Sequence, residues 1–357
     1  MNNKKILFVC AGLGGGISKI IRFVSESCID NFEKVYLLHR GRENVNDIPH
    51  KEIIEIISPI NQSEGTLLWR YEHILQIRNE IKRIAPNIVC CFGTEQCCMV
   101  AMAMIGLRDI KLVLCDRGDP YTLPRMWKII SKWAFNQASN CIFQLKKQGE
   151  WYGEKVMDRS VVIPNAYFSS NSVIPHVGVR KKTIVSVGRF VYEKRYEVLI
   201  EAFKIVYEKH PEYRLIIYGD GPYKNRYHEL LEKYNLINVV ELPGYTNNSA
   251  SAINDAGVFV LSSLYEGIPN SLIEAMAIGV PTVSTNCTPG GPDFLTDHGK
   301  RGLLVPVNDV KALADNICQI IEQPSLGITL SQRGQEIINI LDKDKIKKKW
   351  LNFLCNI

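Results

Sequence analysis

The sequence contains no uninterrupted apolar run of about eighteen residues, the length a helix needs to cross a bilayer. A membrane-spanning helix is therefore excluded as its organising element. The first apolar run, in "MNNKKILFVCAGLGGG", is too short for a signal peptide and breaks into glycines as a first buried strand would. Low-complexity tracts are missing, as is self-similarity at periods of about 20–50 residues, so neither a disordered tail nor a solenoid is expected. The eleven cysteines are an odd number without disulfide-framework spacing. Cys90, Cys91, Cys97 and Cys98 form two adjacent pairs in "CCFGTEQCC", which is not a zinc pattern. Free thiols in a reducing cytoplasm are the expected state. His39, His210 and His298 stand isolated, with no helical pairing to suggest ligands.

Acids are absent from residues 120–149, "PYTLPRMWKIISKWAFNQASNCIFQLKKQG", which hold five basic residues. The net charge of +6 is uneven: residues 1–165 carry 22 Lys/Arg against 17 Asp/Glu, and residues 166–357 carry 21 against 20. A basic segment of this kind suits an anionic surface, either acidic lipid or a phosphate-bearing ligand, or forms an ordinary solvated helix face. Within it, Arg125, Lys128 and Lys132 fall on one helical stripe and Met126, Ile130 and Trp133 on another. The apolar stripe is expected to be buried on the sheet. The basic one, flanked by Trp127 and Trp133, could rest on anionic membrane and receive a lipid-linked acceptor.

What is abundant is alternation. With 357 residues, 46% of them apolar and 22% charged, the chain is long for a single core. Strand candidates in the first half are "KILFVC", "KVYLLH", "IIEII", "NIVCCF", "KLVLC", "NCIFQ" and "SVVIP". In the second half they are "TIVSVG", "YRLIIYG", "NVVEL", "VFVLS", "PTVST" and "GLLVP". Helical periodicity separates them, as in "RYEVLIEAFKIVYEKH". Strand–helix alternation means parallel sheets covered on both faces. The pattern pauses at the polar stretch 164–182. The expected division is an N-terminal Rossmann-like domain over 1–165, a linker over 166–182 and a second such domain over 183–340. A terminal helix over 341–357 is expected to return to the first domain. The class is α/β, two Rossmann-like domains facing across a cleft.

Three stretches carry chemistry. "GLGGGISK" (12–19) follows the first strand. A dinucleotide fingerprint needs Gly at 12, 14 and 17, but residue 17 is Ile; a P-loop needs Gly before its Lys, but Ser18 precedes Lys19. What remains is a glycine turn opening a helix, where Gly15 and Gly16 let a ligand approach the backbone, or a plain strand–helix turn. In "VSVGRFVYEKRYEVL" (185–199), Arg189 and Lys194 follow a strand end and can converge on one diphosphate, or else pair with Glu193 and Glu197. In "YEGIPNSLIEA" (265–275), Ser271 and Glu274 fit a capping box, while the amides of Asn270, Ser271 and Leu272 make an anion site. Glu266 would stand at the carboxyl edge of the sheet, where ligands bind in open α/β folds.

Taken in order, Gly-Arg-x4-Lys, "YGDGP" (218–222), the two glutamates, "PGGPDFL" (289–295) and "GLLVPVND" (302–309) resemble the retaining family-4 nucleotide-sugar glycosyltransferases of GT-B fold. The resemblance is dense over 183–320 and thin over the N-terminal half. It implies that Arg189 and Lys194 neutralise the donor diphosphate, that Glu274 takes the ribose hydroxyls and that Glu266 contacts the donor sugar. It also implies that Gly15 and Gly16 close over sugar and phosphate, and that the amides of Asn270, Ser271 and Leu272 meet the diphosphate. In "LCDRGDPYTLP", Asp116, Arg117 and Asp119 match an acceptor-side segment, with Asp116 where Glu is usual; Asp119 also reads as a turn residue. Asp293 likewise stands where Glu is common.

The implied enzyme is a retaining hexosyltransferase. It moves sugar from a nucleoside diphosphate donor, UDP-linked in preference to GDP-linked, to a glycan acceptor on a polyprenol diphosphate, in bacterial surface polysaccharide assembly. No cofactor and no metal are expected, since the sole Asp-x-Asp, Asp342 to Asp344, lies in the tail. Nucleic acid is not an expected partner. The expected location is cytoplasmic, peripheral on the inner membrane face. A nucleotide-sugar epimerase of similar build is the alternative. It would consume donor without acceptor, and it would want clustered carboxylates and a cleft His.

Overall fold

The computed structural model describes residues 2–13, 15–41, 50–58, 66–168 and 173–357. Gly14 lies outside the described residues, as do residues 169–172 of the polar stretch and the surroundings of Gly15 to Ile17. The chain divides into two compact units. One comprises Met1–Ala166 together with Lys343–Ile357, the other Tyr167–Asp342.

The first unit is built on a seven-stranded parallel sheet. Its strands are β1 (Asn2–Val9), β2 (Phe32–His39), β3 (Ile53–Ile57), β4 (Ile88–Phe92), β5 (Lys111–Asp116), β6 (Asn140–Phe143) and β7 (Ser160–Val162). They run in the order β3-β2-β1-β4-β5-β6-β7. The second unit has six: β8 (Lys181–Val187), β9 (Arg214–Tyr218), β10 (Val240–Gly244), β11 (Ala256–Leu261), β12 (Thr282–Thr285) and β13 (Leu303–Val305). Their order is β10-β9-β8-β11-β12-β13. Lys181 and Lys182, assigned to the linker from sequence, already belong to β8.

Both orders reverse direction beside their first strand, between β1 and β4 and between β8 and β11. Such a reversal leaves a crevice at the carboxyl ends of the two diverging strands, because their connecting helices lie on opposite faces. The near-continuous apolar strands are explained by burial on both faces: β4, "IVCCF", is buried throughout. All eleven cysteines are free, and ten are buried. Burial pushes the Cys10 thiol up to about 12, against the lowering influence of Arg40. The native chain is therefore expected to react slowly with a thiol reagent near pH 8, releasing its full complement only on unfolding; rapid labelling of several thiols would contradict this.

The terminal helix, Lys343–Cys355, buries Ile346, Trp350 and Leu354, spaced four apart on one face. Trp350 stacks on Phe92 at the end of β4, with centroids 5.7 Å apart. Lys4 in β1 donates to the Ile357 carbonyl at 2.8 Å.

The helix Arg125–Gln137 departs from expectation. Its buried residues are Ser131, Ala134 and Phe135, whereas Met126 is 71% exposed and Trp133 37%. The expected apolar stripe at 126, 130 and 133 is thus not the buried one. Periodicity is satisfied by more than one face when apolar residues surround a helix, and the face turned inward is the one whose Phe135 stacks on Phe143 and Tyr152.

Candidate active site

The second unit's site grows from the carboxyl ends of β8 and β11, the strands flanking its reversal. Beyond β8 the chain runs through Gly188 and Arg189 into a 3-10 turn, Tyr192–Lys194. Arg195 then takes a left-handed conformation, φ 49°, and the helix Tyr196–Lys209 begins. A side chain at 188 has no room: an added Cβ would sit 2.7 Å from the Tyr196 hydroxyl and 3.2 Å from Lys194 Cε. The glycine therefore lets the lysine stem fold back across the strand end. Gly219 in "YGDGP" serves the same junction, since a Cβ there would fall 1.9 Å from the Gly188 carbonyl oxygen.

Beyond β11 come Ser262, Ser263 and the loop bearing Glu266. Lys194 Nζ donates to Glu266 Oε1 at 2.5 Å, and both side chains are less than one-fifth exposed. The Ser263 hydroxyl donates to the same oxygen at 2.8 Å, and Ser262 Oγ to the Lys194 carbonyl at 2.8 Å. The Glu266 amide donates to Thr288 O at 2.9 Å. Gly291 in "PGGPDFL" packs on Gly267, where a Cβ would lie 1.6 Å from the carbonyl oxygen. Two glycine contacts and one ion pair thus tie four loops at the edge of the sheet. Arg189 is exposed, and neither Glu193 nor Glu197 pairs with it among the described residues.

The helix Asn270–Ala277 follows Pro269 at its N-cap. Its first intrahelical bond is Ile273 N to Pro269 O, so the amides of Asn270, Ser271 and Leu272 precede the hydrogen-bonded ladder. The capping box suggested by Ser271 and Glu274 does not form, because Ser271 lies inside the helix and the cap position is a proline. Glu274 is instead half-buried and accepts a hydrogen bond from the Ser249 hydroxyl. Ser249 opens the short helix Ser249–Ile253, capped by Asn248. Sequence reading missed Ser249, since no local pattern links it to a carboxylate 25 residues on. Asp293 pairs with His298, Oδ2 to Nδ1, at 2.9 Å.

In the first unit, the helix Gly15–Ser27 starts at Gly15, so Gly15 and Gly16 lie in its first turn beyond β1. The acceptor-side candidates are held inside the fold. Asp116 is fully buried and accepts from Thr94 Oγ1 at 2.8 Å, the Gly118 amide at 3.0 Å and the Tyr152 hydroxyl at 2.6 Å. Tyr152 is raised well above the ordinary phenol range by burial and by the Asp116 charge. Arg117 is buried, its guanidinium 5.7 Å from the Phe92 ring centroid and 5.2 Å from that of Trp350. Its Nη1 donates to the Ile163 carbonyl at 3.1 Å, and burial lowers its pKa. Asp119 accepts from the Tyr121 amide at 2.9 Å, the turn reading of that residue.

Two parallel sheets with these strand orders fit the GT-B class, to which solved structures that superpose on nearly the whole chain also belong. Residues 173–337 match the family described as glycosyl transferases group 1. An uncharacterized glycosyltransferase of Methanocaldococcus jannaschii is 30% identical over 81% of this chain and 85% of its own. The putative colanic acid biosynthesis glycosyltransferase WcaL of Salmonella typhimurium is 33% identical over 49% of this chain and 45% of its own, so the chain spans less than half of that relative. Among solved structures, Anabaena HepE, crystallised with UDP and glucose, superposes with a TM-score of 0.81 at 18% identity over 99% of this chain and 100% of its own. The chain belongs to the group 1 glycosyltransferase family, and it is a glycosyltransferase. That sets aside the epimerase alternative.

Proposed function

We propose that the protein transfers a sugar with retention from a nucleoside diphosphate donor, UDP-linked in preference to GDP-linked, to a glycan acceptor carried on a lipid diphosphate in bacterial surface polysaccharide assembly. The observation that carries this reading is the Lys194–Glu266 pair beside the leading amides of Asn270–Ala277, at the reversal between β8 and β11. The naming of relatives for colanic acid and lipopolysaccharide core synthesis, and the UDP held by HepE, support it.

Breaking the anomeric C–O bond places negative charge on the departing diphosphate and positive charge on the sugar ring. Arg189, Lys194 and the amides of Asn270, Ser271 and Leu272 stabilise the first, with no metal required for that task. Arriving phosphates compete for the Lys194 ammonium, which frees the Glu266 carboxylate for sugar hydroxyls. The acceptor oxygen bonds to the anomeric carbon on the face the phosphate leaves, and its proton passes to the leaving phosphate oxygen. Glu274, oriented by Ser249, accepts from the ribose hydroxyls; Gly15 and Gly16 let the sugar and phosphate approach the backbone. Asp116 and Arg117 act by positioning the "DRGDP" turn on the acceptor side, with Asp119 closing it.

The deciding experiment incubates the protein with UDP- and GDP-sugars, with and without polyprenyl-diphosphate-linked glycan. Turnover with a UDP-sugar only when acceptor is present, with the α/β configuration preserved by NMR, is expected. Failure of every nucleotide-sugar to raise the melting temperature or be consumed would overturn the reading. For the nucleotide end, Glu274→Ala is expected to weaken UDP binding about 10- to 100-fold by calorimetry, the loss of hydrogen bonds to a charged group. Ser249→Ala should cost less, about 2- to 10-fold. Unchanged affinity in Glu274→Ala would remove its assigned role.

The helix Arg125–Gln137 exposes Met126, Ile129 and Trp133 beside Arg125 and Lys132. Among the described residues no helix is long and apolar enough to cross a membrane. An apolar face edged by cations suits the surface of an anionic bilayer, on the inner side of the membrane in this reading. Flotation with phosphatidylglycerol vesicles should retain the protein, and phosphatidylcholine alone should not. A double substitution, Met126→Glu with Ile129→Glu, should release it. Equal retention of that variant would exclude this face.

A further inference from the structure

At the end of Tyr196–Lys209 away from Lys194, His210 caps the helix and faces Val310–Glu322. Cys318 and Glu322 stand one turn apart on that second helix, so both side chains leave it on the same face. A nitrogen of His210, the Cys318 sulfur and a Glu322 oxygen all lie within 4.8 Å of one another. His210 Nε2 and Glu322 Oε1 are 3.0 Å apart. Cys318 is 3% exposed, whereas the Glu322 side chain is 54% exposed.

From this geometry we propose a second site, distinct from the donor site, in which His210, Cys318 and Glu322 bind one zinc-class divalent ion and staple the two helices together. The donor set is one soft thiolate, one imidazole and one carboxylate, which selects zinc over magnesium or calcium. Ligands around tetrahedral zinc, at about 2.0–2.3 Å from the metal, lie about 3.3–3.8 Å from each other. The widest separation, up to 4.8 Å, must therefore shorten by roughly 1–1.5 Å, within reach of side-chain rotations at the three ligands. As the metal–sulfur bond forms, the Cys318 proton leaves to solvent, and water completes the coordination.

One neighbour favours a cation, a second opposes it and a third braces the imidazole. The carbonyl end of Tyr196–Lys209 presents the negative pole of its dipole to His210. The nearby ammonium of Lys209 opposes a cation and is partly offset by Asp315, 3.9 Å away, which also pairs with Lys311 at 2.7 Å. The His210 imidazole is braced by the Tyr213 ring, edge-on at 6.2 Å, and the Tyr213 amide donates to the His210 carbonyl at 3.0 Å. The fourteen-residue helix separates this site from Lys194 by about 20 Å. Its effect is therefore on the stability of the second unit and not on the transfer chemistry.

Titration of the metal-stripped, tag-free protein with Co2+ tests the proposal. One equivalent should produce a near-ultraviolet sulfur-to-cobalt charge-transfer band that Zn2+ abolishes by displacement. Zn2+ should also raise the melting temperature by several degrees. Cys318→Ser should lose the band, and His210→Gln should lose tight binding. Glu322→Gln, at an exposed position that cannot disturb the core, should weaken binding about tenfold or more. A band that survives in Cys318→Ser, equal Zn2+ stabilisation of wild type and Glu322→Gln, or no band in the wild type would each overturn it. None of these readouts depends on sugar transfer.

Discussion

Replacing Lys194 by Met is expected to lower kcat/KM for the nucleotide-sugar by about 100- to 1,000-fold, the cost of removing one fixed group that faces developing charge. The change keeps the aliphatic stem that lies over Gly188 and deletes only the ammonium. Two consequences oppose each other. Without the lysine, the half-buried Glu266 carboxylate loses a partner at 2.5 Å and keeps the Ser263 hydroxyl at 2.8 Å. It is then better placed for a sugar hydroxyl but worse tolerated beside a diphosphate. The second effect dominates, because like charges at close range repel and water is partly excluded there. Glu266→Gln, which retains hydrogen bonding, should show a smaller loss concentrated in kcat. Steady-state kinetics with donor varied will decide; a Lys194→Met enzyme within about threefold of wild type would remove the lysine from the transition state.

Trp350→Ala is expected to be the most destabilising single change in the terminal helix. The side chain is 1% exposed, stacked on Phe92 and capped by the Arg117 guanidinium. Deleting a buried Trp costs about 3–5 kcal/mol, which for a unit of this size lowers its Tm by roughly 10 °C. One effect works the other way. Arg117 Nε and Nη2 have no hydrogen-bond partner among the described residues, so water admitted by the cavity would solvate them. That relief is about 1–2 kcal/mol at most and does not reverse the sign. Thermal scans of Trp350→Ala and Trp350→Phe should rank wild type above Phe above Ala. Arg117→Met provides a control: a desolvated cation with a single hydrogen bond is often replaced by an apolar side chain at no cost. A large loss of stability in Arg117→Met would show that the guanidinium holds the fold through more than the Ile163 carbonyl.

Among the described residues each of the thirteen strands was legible as a short apolar run bounded by polar or glycine residues, most plainly in central strands such as β4, where burial on both faces carries the signal in consecutive residues. "KILFVC" and "VFVLS" need no partner to be read. The glycines of "YGDGP" and "PGGPDFL" were legible as a pattern but not as a cause. Their reason, backbone oxygens 1.6–1.9 Å from any added Cβ, involves residues 24 and 31 positions away. The helix Arg125–Gln137 shows the opposite failure. Its periodicity is real, yet two apolar faces compete, and only the tertiary packing around Phe135, on Phe143 and Tyr152, selects Ala134 and Phe135 over Met126 and Trp133.

The residue types at the donor site and the alternation that makes two parallel sheets follow from the chain read in order, because both depend on neighbours within a few positions. The tertiary structure alone decided that Lys194 meets Glu266, that Ser249 and not a capping box holds Glu274, and that His210 faces Cys318 and Glu322. Each of these joins side chains 25 to 112 residues apart. Such contacts arise only when parallel strands bring the loops at one edge of a sheet, or the helices on one of its faces, into register.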